Sequence, residues 1–151
     1  MTRQTDYLAL FGEIFEQKSF LDRPLYEAAL TGFSDSEIDV VNALAKTERD
    51  MNVTRLAAKL YLTRSAITKI TRKLLQKGIL TSYQLPDNKK EIYFRLSQAG
   101  NHLSQVHDSV EASLLKRDDT VFETMSEKEF KTLMTFGKSY KQHLDKEINE
   151  N

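Results

Sequence analysis

The chain has 151 residues, 40% hydrophobic, with two prolines, five glycines, no cysteine and 22 basic side chains against 22 acidic ones. That length fits one domain, or one small module with accessory helices, and so little proline and glycine argues against disorder and against a turn-rich all-β fold. Lack of cysteine excludes a disulfide framework, a thiol nucleophile and a thiol redox sensor; no apolar run approaches ~20 residues and residues 2–6 have no signal-peptide core, so a soluble cytoplasmic protein is expected.

Residues 6–30 read as helix, with Tyr7, Phe11, Ile14, Leu21, Leu25 and Ala28 recurring at steps of three and four and Lys18 in the same register. Pro24 interrupts the pattern, and Asp22 is placed to cap a second segment with Pro24 in its first turn, so a kink or break is expected near residues 20–23. Ser34-Asp35-Ser36-Glu37 is a capping box; Ile38, Val41, Leu44 and Ala45 follow on one face of a helix of about 35–47. After Glu48-Arg49-Asp50, Thr54 is the expected cap of a short helix from Arg55 to about Tyr61, with Leu56, Ala57 and Leu60 inward. Thr63 caps the next helix, which ends at a left-handed Gly78. Ile79–Gln84 and Glu91–Leu96 are short strands, joined by the turn-like Leu85-Pro86-Asp87-Asn88-Lys89-Lys90 into a hairpin with a basic tip. Ser97 starts a helix whose seam is Leu103, Val106, Val110 and Leu114, and Asp118-Asp119-Thr120 is expected to break it. Ser126-Glu127-Lys128-Glu129 opens a last helix lined by Phe130, Leu133, Tyr140, Leu144 and Ile148.

This order predicts a mainly α fold with a small β-hairpin wing. A winged helix-turn-helix occupies residues 34–97, and its core is the pair 54–61 and 63–77. Residues 1–33 and 98–151 are N- and C-terminal helices whose apolar seams a winged helix of about 65 residues cannot cover, so they are expected to form a homodimer as one intertwined domain.

Charge is sorted along the chain. Residues 52–97 hold ten basic side chains and two acidic ones, a net +8 that leaves −8 for the rest. A basic module in an acidic frame suits a polyanion on one face. On the helix from Thr63 to Lys77, Ile67, Ile70 and Leu74 fall on one side at ~100° per residue. Ser65, Thr68, Lys69, Arg72 and Gln76 fall opposite, with Arg64 at the N-terminal end and Lys73 on the flank. This outward face carries hydroxyls, an amide, Lys and Arg, and no carboxylate; such groups hydrogen-bond base edges and phosphates. Helix starts at Thr54, Arg55 and Thr63 offer N–H groups to phosphate. Asn88, Lys89 and Lys90 stand at the wing tip, where they can lie in the minor groove or along the backbone.

Val53-Thr54-Arg55-Leu56-Ala57-Ala58-Lys59-Leu60-Tyr61-Leu62-Thr63-Arg64-Ser65-Ala66-Ile67-Thr68-Lys69 resembles the helix-turn-helix of the multiple-antibiotic-resistance regulator (MarR) family. Leu74 to Leu80 is similar to that family's exit into the first wing strand, Pro86 to Lys90 to its wing, and Leu96 to Gly100 to the entry of its long fifth helix. The resemblance is most specific over residues 34–100. It implies an obligate homodimer with interlocked terminal helices, reading a palindromic operator in double-stranded DNA, with wing spacing open to a small-molecule, metal or oxidant effector. Two features depart from the family pattern. The wing aspartate and arginines of the family stand here as Asn88, Lys89 and Lys90, and lysine lacks the bidentate fork of arginine. Tyr61 stands where a small turn residue is usual, and because a left-handed tyrosine is strained, a differently shaped turn is expected.

No metal site and no cofactor are expected. His102 and His107 are five apart, about 140° around one helix, and His143 stands alone. Tyr7, Phe11, Phe15 and Phe20 suit a dimer core better than a ligand pocket. There is no Gly-rich phosphate loop, HExxH or GxSxG, so an enzyme is not expected. The leading reading is a homodimeric, sequence-specific transcription regulator, a repressor relieved by a small molecule. The alternatives are a winged-helix protein-interaction module without DNA binding and a non-specific architectural DNA binder.

Overall fold

A computed structural model of the chain describes residues 2–150. The order is α1 (Arg3–Ala29), α2 (Asp35–Ala45), α3 (Val53–Leu60), α4 (Arg64–Gln76), β1 (Leu80–Leu85), β2 (Asn88–Leu96), α5 (Gln98–Phe122) and α6 (Glu127–Glu150). It divides into two compact units, which part within α5 after Ala112.

In the first unit α2, α3, α4 and the hairpin enclose a core centred on Leu56, Ile67 and Leu74, each 0% exposed. Val40, Val41, Ile79, Leu80, Phe94 and Leu103 complete it, so every element from α2 to the start of α5 contributes. Strands β1 and β2 pair antiparallel from Leu80 opposite Leu96 to Leu85 opposite Asn88, with an irregularity between Tyr83 and Leu85. Only Pro86 and Asp87 lie between the strands, so β2 starts earlier than its β-branched content suggests. Phe94 also donates its N–H to the Met51 carbonyl at 2.9 Å, which joins the hairpin to the loop before α3.

Caps fix the element starts. Ser34 Oγ accepts the Glu37 N–H at 3.2 Å and Thr63 Oγ1 accepts the Ala66 N–H at 3.1 Å. Ser97 Oγ accepts the Gly100 N–H, and its own N–H and hydroxyl donate to the Ile79 carbonyl, both at 2.9 Å. Gly100 packs against that same carbonyl, so a Cβ there would clash with it.

Four local expectations are corrected. α1 passes residues 20–23 unbroken, with Pro24 inside it. Proline removes one i→i−4 bond, and neighbouring turns carry the helix through. Asp22 is therefore no cap: it is buried within α1 and accepts from Lys18 Nζ at 2.8 Å. The cap of α3 is Asn52, whose Oδ1 accepts the Arg55 N–H at 2.9 Å; Thr54 lies inside the first turn. The Asp118-Asp119-Thr120 stretch does not break α5, which continues to Phe122, since low aspartate propensity is a small energy per residue. Tyr61 does adopt the left-handed region, at φ 54 and ψ 37. The Leu62 N–H then closes onto the Ala57 carbonyl at 3.1 Å, a bond that helps offset a strain of about 1–2 kcal/mol.

In the second unit, α6 is capped by Ser126, which accepts the Glu129 N–H while the Glu129 carboxylate takes the Ser126 N–H at 2.8 Å and its hydroxyl at 2.7 Å. Those bonds hold the Glu129 carboxyl below its ordinary range. No helix among the described residues is long and apolar enough to cross a membrane.

Candidate nucleic-acid interface

The face of α4 opposite the core is built by its own periodicity. Ile67, Thr71 and Leu74 point inward and are buried. Arg64, Ser65, Thr68, Lys69, Arg72, Lys73 and Gln76 are all exposed, so the structure brings the whole expected recognition set onto the solvent side. Thr68 Oγ1 donates to the Arg64 carbonyl at 2.9 Å, which leaves its oxygen lone pairs outward. The residues from 51 to 86 contain no Asp or Glu, so no carboxylate within that stretch opposes an anion at this face.

The helix starts behave differently from one another. Thr63 spends its side-chain oxygen on the Ala66 N–H, while the Arg64 and Ser65 N–H groups precede the first intrahelical bond of α4. Arg55 folds back, donating from Nη1 to the Asp50 carbonyl. At the wing tip Lys89 and Lys90 are exposed. Asn88 turns inward, its Oδ1 accepting the Lys90 and Glu91 N–H groups at 3.3 Å, so it shapes the turn.

Side-chain bonds tie the wing to the loop ahead of α3. Asn52 Nδ2 donates to Glu91 Oε2 at 3.1 Å, and the Tyr83 hydroxyl donates to Asp50 Oδ1. Burial, then that bond and the Asp50 charge, push the Tyr83 phenol up. Arg95 lies 4.4 Å above the Tyr83 ring centre and adds an exposed cation that the sequence reading did not single out. The signal was present: Arg95 lies two residues beyond Tyr93, on the same face of β2, and Tyr93 pairs with Tyr83.

Lys77, too, is a cation of the basic window that is engaged internally. Lys77 Nζ meets Glu37 Oε2 at 2.6 Å and the Gly32 carbonyl at 2.9 Å, and sits 4.7 Å from the Phe33 ring centre.

Away from this face the first unit holds a cavity of about 430 Å³, whose lining includes Lys18, Asp22, Tyr26, Ile38, Asp39 and His107. Of Tyr7, Phe11, Phe15 and Phe20, Phe15 reaches it. Burial, with Asp35 adding and His107 opposing, raises the Asp39 carboxyl. Ligand atoms of His107, Asp108 and Glu111 lie within 4.8 Å of one another, a grouping missed by pairing histidines only with each other. Other partners compete for this group: His107 stacks on Tyr26 at 5.0 Å and Glu111 pairs with Lys46 at 3.7 Å.

Three helices and a hairpin, with the second helix of the turn motif presenting its polar face outward, define a winged helix-turn-helix. Residues 34–92 match the model of the MarR family. It is 37% identical over 94 residues to the uncharacterized HTH-type transcriptional regulator YhjH of Bacillus subtilis (strain 168), covering 62% of this chain and 53% of that one. It is 31% identical over 105 residues to the HTH-type transcriptional regulator PchR of the same strain, covering 67% and 59%. The chain thus spans little more than half the length of these relatives. Among solved structures, Streptococcus pneumoniae FabT in complex with DNA superposes with a TM-score of 0.76 at 15% identity, over 96% of this chain and 99% of that one. Staphylococcus aureus MarR in complex with salicylate and kanamycin does so at 0.75 and 14%, over 95% and 93%. At those identities the likeness is one of fold.

Proposed function

We propose that this chain is a homodimeric, sequence-specific DNA-binding transcription regulator, a repressor of a palindromic operator relieved by a small molecule. The observation that carries the reading is the α4 face: seven exposed polar or basic side chains with no carboxylate among them. Arg64, Ser65, Thr68, Lys69, Arg72 and Lys73 read bases and phosphates in the major groove, the helix starts at Thr54, Arg55 and Thr63 meet the backbone, and Lys89 and Lys90 follow the flanking strand on a wing whose turn Asn88 shapes. FabT, a fold neighbour, was solved bound to DNA, which supports the assignment by analogy.

Dimerisation is supported by apolar side chains left in water on the flanking helices. On α1, Phe15 is 65% exposed and Phe20 81%. Val121 and Phe122 of α5 and Phe136 and Ile148 of α6 are also exposed. So many exposed large apolar side chains on the flanking helices suit a covering partner, so residues 1–33 and 98–151 supply the dimer contacts and 34–97 the DNA module. The cavity lined by Tyr26, Asp39 and His107 is the candidate seat of an effector. Light scattering at micromolar concentration, followed by selection of duplexes from a random pool, tests the proposal. A dimer that enriches an inverted repeat is expected. A monomer would overturn the assembly, and a pool with no enrichment would overturn sequence specificity.

A further inference from the structure

Tyr61 occupies a conformation that tyrosine rarely adopts, and the residue stays two-thirds exposed. Among the described residues it is the one non-glycine with positive φ. The other two left-handed positions, Gly32 and Gly78, carry glycine. Gly78 makes the closer comparison. It stops α4 with the same bond across six residues that Tyr61 makes for α3: Ile79 N–H to the Leu74 carbonyl in one, Leu62 N–H to the Ala57 carbonyl in the other. Glycine therefore suffices for this helix stop, and the turn itself does not call for an aromatic ring.

Packing does not explain the ring either, since the residue is 66% exposed. A strained backbone holding an exposed aromatic points to a partner outside the fold. The surroundings indicate its chemistry. Tyr61 precedes the Thr63 cap of α4 by two residues, Lys59 and Arg64 on either side are exposed, and the nearest carboxylates in sequence are Asp50 and Asp87. A phenol placed there can donate a hydrogen bond to an anionic oxygen.

Resting on the DNA-binding reading, we infer that Tyr61 is a backbone contact: its hydroxyl donates to a phosphate at the rim of the groove that α4 enters, and its ring covers the adjoining sugar. This contact is neutral. It displaces no condensed counterion, so it adds affinity for any sequence without steepening the salt dependence, unlike a lysine contact.

The test uses the full chain, a selected operator duplex and a scrambled duplex. Tyr61→Gly is expected to melt at the same temperature as the unmodified protein or higher, because the left-handed strain is relieved. It should bind both duplexes about tenfold more weakly, with an unchanged slope of log affinity against log salt. Tyr61→Phe keeps the ring and should lose about threefold. Lys90→Ala serves as the charged comparison and should flatten the slope by about 0.9. Arg72→Ala reports independently on the α4 face. If Arg72→Ala and Lys90→Ala weaken binding while Tyr61→Gly does not, the inference about Tyr61 is overturned and the DNA-binding reading stands. A lower melting temperature for Tyr61→Gly would make the ring structural and overturn it as well. If the unmodified protein binds neither duplex, both fall together.

Discussion

Replacing Lys77 by alanine should unfold the protein more readily without touching the proposed DNA contacts. Lys77 belongs to the basic window by sequence, yet its ammonium lies 2.6 Å from Glu37 and 2.9 Å from the Gly32 carbonyl. The Glu37 side chain is 7% exposed and that of Lys77 37%. Removing one partner from a fully buried pair costs about 3–5 kcal/mol, because the remaining charge stays desolvated. Water reaches the lysine side of this pair, which lowers the figure to about 1.5–3 kcal/mol. The lost bond to Gly32 and the contact with the Phe33 ring, 4.7 Å from Nζ, add to it, each by several tenths of a kcal/mol. A total of about 2–4 kcal/mol should move a urea midpoint by roughly 1–2 M, followed by circular dichroism at one fixed protein concentration. Glu37→Gln on top of Lys77→Ala should recover part of the loss, since the buried charge is gone. A change within about 0.5 kcal/mol for Lys77→Ala would refute the reasoning. So would a salt slope flattened by about 0.9, which would make Lys77 a phosphate contact.

Gly100→Ala should destabilise by about 1–3 kcal/mol in the same urea assay, because its Cβ meets the Ile79 carbonyl that Ser97 also holds; unchanged stability would mean that the turn into α5 yields easily. Ile67→Ala, at a position 0% exposed, should cost about 2–5 kcal/mol, and a small loss would place Ile67 outside the core. Asp39 has a carboxyl raised first by burial, then by Asp35, with His107 opposing. Its contribution is therefore fully present below the ordinary aspartate value and is lost as pH rises through the raised one. Asp39→Asn should gain stability relative to the unmodified protein as pH rises through that window; a gain confined to lower pH would contradict the sign.

What the sequence made legible was mostly local. Ser34, Thr63 and Ser126 act as caps as read, because a hydroxyl three residues ahead of an N–H is a short-range geometry. Gly78 ends α4, and the α4 face alternates with its core side as the helical period requires. What escaped depends on neighbours or on small energies. Asn52 and Thr54 both bear capping groups; asparagine is the stronger cap, and its Nδ2 is also held by Glu91, 39 residues away. Pro24 and Asp118 each weigh against a helix, but by less than a long helix can absorb. Lys77 looks like its basic neighbours until the fold brings Glu37 beneath it. The cavity draws its lining from α1, α2 and α5, an assembly that no single periodicity reveals.

The central claim is that α4 reads DNA while the wing lysines follow its backbone. One measurement tests it most directly: the affinities of the unmodified protein, Arg72→Ala and Lys90→Ala for a selected operator and a scrambled duplex across several salt concentrations. Arg72→Ala should lose about 1–3 kcal/mol on the operator and much less on the scrambled duplex. Lys90→Ala should weaken both alike and flatten the slope by about 0.9. Equal losses on both duplexes for Arg72→Ala would replace sequence reading with non-specific binding, and full affinity in both variants would place the interface elsewhere on the protein.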